Sequence, residues 1–421
     1  MSYRFMRRLN NIEKAVKLVE DYLKNVLRVL RISVDEAFNK YAAEEVYSPT
    51  DVPPYDRAVV DGCAVKASDL GGASPESPVV LVKKGALYAG DEYSFSVEHG
   101  YCVEVATGSI LPRGADTVVP AEYIVTKKND EYVRVVREFN PGYGISSRGE
   151  DIRKGDIIVE RGARLKEHHI AMLSSVGLKY MEVWDLPRIA VFSTGNEIVE
   201  PGEEKTPSKI YDSTRRIVIG FLKRMGFNRI SDMGIIADDE KLIENAYMNA
   251  LETAEIVIST GGTSVGKKDT TIRVLEKLKP EEFIHGFALT PGRPFGVGLL
   301  GGKLVLALSG MPVAALTELM AVLEPALARA LGRNRSILPI VKGVLTRKLV
   351  THTGMMNYVR ARVHCSMEGR ILVDPLRLTG SGILSTLKDG NAVIPVPPDV
   401  TGFNEGDTVD VIIYDPDNFS C

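Results

Sequence analysis

An open, doubly wound and mostly parallel α/β sheet, set among two small β regions and a discontinuous helical and β segment, is the multidomain α/β architecture this sequence predicts. Between residues 188 and 331 continuous apolar runs alternate with helical stretches, the pattern of strands buried on both faces and joined by crossover helices. On either side of that block the apolar runs shorten and are broken by Gly and Pro, the pattern of small β modules. A chain of 421 residues with 44% hydrophobic and 25% charged side chains is also longer than one core supports and has a globular composition.

From the N-terminus, Leu9, Ile12, Val16, Val19, Leu23, Val26 and Leu30 recur at spacings of three and four, the seam of an amphipathic helix that can face its own domain or a partner. Ser33 followed by Glu36 has the form of a capping box and predicts a second helix through Ala43, ended by Pro49, Pro53 and Pro54. Residues 79–82, 101–106, 117–119 and 132–136 are expected strands, 156–160 another, and 166–176 a helix. In the α/β block, strands are expected at 189–193, 230–236, 256–260 and 304–308, and helices at 214–225, 240–252, 270–278 and 312–331. The tail from 338 to 414 returns to short strands, as in a small barrel or sandwich. The expected domains are 1–54 with 147–186, then 55–146, 187–334 and 335–421.

Fifty-two basic residues against 55 acidic ones leave a formal charge of −3, which provides no field for nucleic acid or an anionic membrane. The longest apolar run, 304–317, is too short to span a bilayer, and no apolar signal core follows the N-terminal arginines; a cytoplasmic location is expected. Cys63, Cys102, Cys365 and Cys421 show no CxxC spacing and are expected to be reduced. His168 and His169, as sequence neighbours on a helix, are expected to point apart and to make a poor metal pair.

The chemistry concentrates at the predicted strand ends. Thr260-Gly261-Gly262-Thr263-Ser264-Val265-Gly266 follows one strand and opens onto a helix, so its amides and the helix N-terminus can cradle a phosphate or oxyanion; a tight structural turn is the alternative. Ser193-Thr194-Gly195-Asn196-Glu197 and Ser309-Gly310-Met311-Pro312 end two more strands, at the edge where open sheets bind ligands. In Thr290-Pro291-Gly292-Arg293-Pro294 two prolines stiffen a loop that presents a guanidinium suited to an oxyanion. Glu197, Asp212, Asp238, Asp239 and Asp269 supply hard oxygens of the kind Mg²⁺ uses beside phosphates, helix capping being the alternative for Asp238 and Asp269. Outside this block, the loop from Asp51 to Gly62, Thr107-Gly108 and Arg148-Gly149-Glu150-Asp151 carry more specific residues than turns need.

Taken together and in order, these segments resemble the molybdopterin molybdenumtransferase family, that of bacterial MoeA and the gephyrin E domain. The likeness rests on Pro53-Pro54-Tyr55-Asp56 to Asp61-Gly62, Thr107-Gly108, Gly149-Glu150-Asp151, Ser193 to Glu197, Gly261 to Gly266 with Asp269, and Pro291 to Pro294. It implies an elongated homodimer with a cleft shared between subunits. It also implies that Mg²⁺ assists cleavage of adenylylated molybdopterin while molybdate is loaded, with release of AMP. By position it implies catalytic Asp61, Thr107, Asp151, Glu197, Asp238 and Asp269, with Asp238 and Asp269 holding Mg²⁺. Thr194, Gly195, Gly261, Gly262, Ser264 and Gly266 would bind the pterin phosphate, and Arg293, Pro294, Arg360 and Ser381 the oxyanion.

The chain departs from the family's Lys-Pro-Gly-Lys-Pro run at Thr290 and Arg293, and from Pro and Asn at Ser309 and Met311, which leaves molybdate and tungstate both open as the oxyanion. A tungstate-inserting paralogue and a non-catalytic scaffold of the same fold are the alternatives, and the upstream adenylating enzyme is an expected partner.

Overall fold

The computed structural model describes residues 9–126, 131–204, 206–264, 270–376 and 382–419. Its central element is a six-stranded sheet. Ile230–Ile236, Ile189–Thr194, Ile256–Thr260 and Lys303–Leu308 lie side by side and parallel, and Gly296–Leu300 and Glu282–His285 add antiparallel strands at one edge. That hairpin, absent from the expected strands, is short and Gly-interrupted, with Gly296 and Gly298 lying against the Phe283 side chain. A Cβ at Gly298 would stand 2.2 Å from the Glu282 carbonyl, so only glycine permits the pairing there.

Helices cover both faces of the sheet, as the buried apolar strands require. Phe192, Val257 and Val305 pack with Ile243, Tyr247 and Leu275 from the helices Glu240–Thr253 and Thr270–Lys277. On the other face Val191, Ile258 and Leu306 meet Val218 and Leu222 from Thr214–Arg224, together with the long C-terminal helical run. That run is expected as one helix but is built as Pro312–Glu318, a π-helical turn Leu319–Leu323, and Glu324–Ala330.

The N-terminal helix is Ile12–Val26, capped by the Asn11 side chain accepting from the Glu13 amide. Ala15, Val16, Val19 and Leu23 are buried against the Glu324–Ala330 helix and its neighbours, so the apolar seam faces its own chain. The expectation of a helical first 50 residues is not met. Arg28–Ser33 is a strand paired along its length with Tyr180–Asp185, which also takes Tyr41–Ala42, so the segments flanking the 55–146 stretch share one sheet. The Ser33–Glu36 pair does form, at 3.0 Å, but it closes only the single 3₁₀ turn Val34–Glu36. Sheet pairing overrode a local cap.

Residues 57–146 hold a second six-stranded sheet in the order Thr117–Pro120, Gly62–Val65, Tyr101–Val105, Val79–Leu87, Tyr132–Val135, Ile124–Val125. In the tail, Met356–Cys365, Ile371–Pro375, Ile340–Leu345, Thr408–Ile413 and Ala392–Val396 pair in succession, and the last pairs back to the first. The ring is therefore closed, a small barrel. Leu289–Thr290 of the preceding region adds to it in parallel register, Thr290 opposite Asn357. Cys63 and Cys102 are buried thiols, whereas Cys365 is disulfide-bonded, against the expectation that all four cysteines are reduced.

Candidate functional site

The site begins where the three adjacent parallel strands stop. Ser193 Oγ donates to Asp212 Oδ2 at 2.8 Å and lies 2.9 Å from Thr260 Oγ1; Thr194 Oγ1 lies 3.0 Å from Thr271 Oγ1. These hydroxyls are buried, and they lock the strand ends to one another. Over them the backbones pack without room for side chains. Gly261 has φ +94°, and a Cβ on it would stand 2.5 Å from the Thr194 carbonyl; one on Gly262, at φ +63°, would stand 2.4 Å from Thr271 Oγ1. A Cβ on Gly310 would come within 3.3 Å of the Gly261 Cα. The expected convergence of the loops after Thr194, Thr260 and Leu308 is thus present, and it produces a glycine turn packed closely against Thr194 and Thr271. Ser264, which follows it, is exposed.

Among the carboxylates, geometry separates roles that sequence left open. Asp212 is buried, takes Ser193 Oγ and the Arg215 amide, and stands 3.2 Å from the buried Arg215 guanidinium; it is a structural counter-ion. Asp239 is the N-cap of the Glu240–Thr253 helix, accepting from the Lys241 and Leu242 amides. Asp238 is not that cap. Its Oδ2 accepts from the Asn196 amide at 3.1 Å while its own amide donates to Asn196 Oδ1 at 3.1 Å, so it is clamped to the Thr194–Glu197 loop. Glu197 is exposed, its carboxylate folded back beside Gly195, where a Cβ would stand 2.8 Å from Glu197 Oε2.

Asp238, clamped to Asn196, and the exposed Glu197, beside Gly195, are carboxylates on the loops that follow the strand ends, and carboxylate oxygens are the donors Mg²⁺ takes one or two at a time, with phosphate and water completing its shell. Among the described residues, no three His, Cys, Asp or Glu side chains stand together as an all-protein metal centre. Gly266, Asp269 and Ser381 lie outside the described residues.

Two further residues, unremarked in the sequence, brace the loops. His285 Nε2 lies 2.9 Å from the Thr263 carbonyl and 3.1 Å from that of Pro294, so its ring N–H joins the glycine turn to the Pro291–Pro294 loop. Glu318 is fully buried; it accepts from the Ser309 amide at 2.9 Å, pairs with Ser309 Oγ, and packs under Gly292. Burial pushes its carboxyl up to about 8, so it is held protonated at neutral pH. Neither residue carries a motif; only their position after folding distinguishes them.

Arg293 and Thr290 both reach Met355, at 3.2 and 3.4 Å from Nη2 and Oγ1 to the sulfur. Thr290 and Pro291 line a cavity of about 280 Å³ with His352, Asn357, Tyr358 and Arg360, which brings the expected oxyanion-binding arginine of the barrel to the loop of the α/β region. Arg360 itself is buried.

Asp61 and Thr107 form a pair of their own. Asp61 Oδ1 accepts from the Thr107 amide at 2.7 Å and its hydroxyl at 2.9 Å, and these bonds, the amide's first, hold the carboxyl below its usual range. Asp61 lines a cavity of about 390 Å³ with Lys83 and Glu104, all of it within residues 61–133. Nearby, Asp51 accepts from Arg148 Nε at 2.6 Å and the Lys154 amide at 2.8 Å, and Asp56 from the Arg148 amide, bracing the Pro53 loop against the Gly149 loop. Asp151 is exposed on that second loop, its amide donating to the Val52 carbonyl. The Asp61 pair thus stands in a different region from the glycine turn.

These features define a multidomain α/β protein whose strand-end loops converge at the carboxyl edge of its central sheet. Comparison with known proteins carries the assignment further. Family models match in order: the MoeA N-terminal region (domain I and II) over residues 10–177, the probable molybdopterin binding domain over 190–329, and the MoeA C-terminal region (domain IV) over 342–414. A molybdopterin biosynthesis protein of Methanocaldococcus jannaschii is 32% identical over 415 residues, 96% of this chain and 97% of its own. The molybdopterin molybdenumtransferase of Haemophilus influenzae is 30% identical over 381 residues, covering 90% and 92%. A crystal structure of a MoeA molybdopterin biosynthesis protein from Pyrococcus horikoshii superposes with a TM-score of 0.78 at 28% identity, covering 97% of this chain and 100% of that one. The chain belongs to the MoeA, or molybdopterin molybdenumtransferase, family of molybdenum cofactor biosynthesis.

Proposed function

We propose that this enzyme inserts molybdate into adenylylated molybdopterin in an Mg²⁺-dependent reaction that releases AMP. The observation that supports this reading is the convergence of three strand-end loops on Gly261, Gly262 and Gly310, whose backbones pack too closely for any side chain.

In this reading Thr194, Gly195, Gly261, Gly262, Ser264 and Gly266 hold the pterin phosphate, and Asp238 and Asp269 would hold Mg²⁺. Bound there, Mg²⁺ would neutralise charge on the phosphates as AMP departs. Glu197 presents its carboxylate at the same edge. Asp61, oriented by Thr107 and kept ionised, and Asp151 complete the catalytic set from a second subunit, as the expected homodimer with a shared cleft requires. Arg293 and Pro294, with Arg360 and Ser381 from the barrel, receive the oxyanion. Thr290 in place of a lysine leaves Arg293 as the cation that this loop offers it. The enzyme works in the cytoplasm and takes its substrate from the adenylating enzyme that precedes it.

The test is incubation with adenylylated molybdopterin, molybdate and Mg²⁺, with AMP and dithiolene-bound metal measured together. Both should appear in equal amounts. AMP without bound metal, or neither, would overturn the reading.

A further inference from the structure

On the other side of the α/β region, away from the strand carboxyl ends, lies a cavity of about 740 Å³ that the function above does not use. Four separate segments wall it: 157–169, Arg224 with Met225, 333–339, and Ile413 with Pro416. Its ionised lining is lopsided, with Arg164, Lys166, Arg224, Arg333 and Arg335 set against Glu160.

Arg164, Arg224 and Arg333 are held in place by backbone carbonyls. Arg164 Nη1 donates to the Arg224 carbonyl at 2.8 Å, Arg333 Nη1 to that of Gly162 at 2.6 Å, and Arg224 to that of Tyr414. The Nε–H groups of Arg164, Arg224 and Arg333 are all buried and find no hydrogen-bond partner among the described residues. Asp415 and Glu324 lie close enough to soften the field at Arg224 and Arg333. Burial nevertheless holds both guanidinium groups below their usual range, and like charges, Arg164 and Arg335, act in the same direction. Desolvated cations that outnumber the anions around them are costly unless something negative arrives.

His168 and His169 complete the wall. Against the expectation that they point apart, their rings lie 4.1 Å apart and both face the cavity, because they sit in the first turn of the Glu167–Ser175 helix. Burial and the neighbouring His168 and Lys166 hold His169 below its usual range. The remainder of the lining is apolar, from Ile158, Val159, Met225, Ile337 and Leu338.

We propose that this cavity binds a phosphorylated small molecule of nucleotide size, its phosphates paired with Lys166, Arg333 and Arg335 and its flat body laid on Ile158, Ile337 and Leu338. The volume suits a nucleotide-sized ligand. The charge selects an oxyanion, for which guanidinium forks are the matching donors, and the apolar floor distinguishes such a ligand from a bare anion. Arg335 stands 81% exposed and only 4.0 Å from Glu160, a loose pair that can turn inward without disturbing the fold.

The experiment is calorimetric titration of the full chain with ATP, pyrophosphate and adenosine. ATP is expected to bind more tightly than pyrophosphate, and adenosine not at all. Lys166→Ala combined with Arg335→Ala, both exposed side chains, should weaken ATP binding by about tenfold or more with an unchanged melting temperature, since lost charge-assisted bonds are worth that much. Thr194→Val, at the strand-end glycine turn, should leave ATP affinity at this cavity unaltered. The proposal is overturned if neither ATP nor pyrophosphate binds at millimolar concentration, if the double variant binds ATP as the parent does, or if Thr194→Val alone removes all ATP binding.

Discussion

The Glu318 carboxyl meets the Ser309 amide at 2.9 Å and the Ser309 hydroxyl beside it, fully buried beneath Gly292. The loop that follows Leu308 and the loop that carries Arg293 therefore rest on one side chain. Its carboxyl is pushed up to about 8, chiefly by burial. Between the ordinary carboxylate range and about 8 the folded chain keeps a proton that the unfolded chain releases, so stability is greatest below that window and falls as pH rises through it, levelling above. Glu318→Gln should flatten this slope in urea melts taken across the window, while Asp212→Asn should not. An unaltered slope would remove Glu318 as its source.

Gly261 tests the role of the glycine turn. Gly261→Ala places a Cβ 2.5 Å from the Thr194 carbonyl at a positive φ of +94°, so the turn must shift. A cost of about 1–3 kcal/mol is expected by denaturant titration. AMP release should fall further than that loss of folded protein explains. Full activity in the folded fraction would mean that nothing approaches the backbone there.

Asp61 and Thr107 make a paired forecast. Asp61→Asn should lower AMP release by about a hundredfold, within the range of a positioned acid or base. Thr107→Val keeps the amide bond to Asp61 but removes the hydroxyl one, so the acidic limb of the pH–rate profile should move up. A profile that keeps its shape at reduced height would make Thr107 a packing residue instead.

Sharing of the cleft between subunits can be tested by complementation. Asp61→Asn and Glu197→Gln chains are each expected to be inactive alone. Unfolded and refolded together they should regain about a quarter of wild-type AMP release, since half the dimers are mixed and each mixed dimer has one intact site. No recovery, with sequential purification through different tags on the two chains showing mixed dimers, would place both acids in one subunit's site.

Asp238 and Asp239 should part company. Asp239→Ala, losing a helix cap, should cost about 1 kcal/mol in thermal melts and leave the Mg²⁺ dependence of AMP release where it was. Asp238→Asn should raise the Mg²⁺ concentration needed for half-maximal release with little change in melting temperature. The reverse pattern would exchange their roles.

The order of strands and helices through the central region, the glycine turn at Gly261 and Gly262, and the family itself are written in local pattern and ordered motifs. Buried parallel strands must be continuously apolar, and a backbone that approaches a phosphate must be glycine, so both leave marks on the chain that need no tertiary context. Other features depended on partners distant in sequence. Arg28–Ser33 carries a helical seam and a capping pair yet is a strand, because Tyr180–Asp185 offers it a full register of hydrogen bonds. Asp238 and Asp239 are adjacent and chemically identical; Asp239 became the cap because it directly precedes the helix that starts at Glu240, and Asp238, one residue earlier, became a clamp on Asn196. His285 and Glu318 bear no motif, and their importance comes from lying under two loops at once. A hydrogen bond across many residues, or a charge left uncompensated in a cavity, is a property of distances that local spacing does not encode.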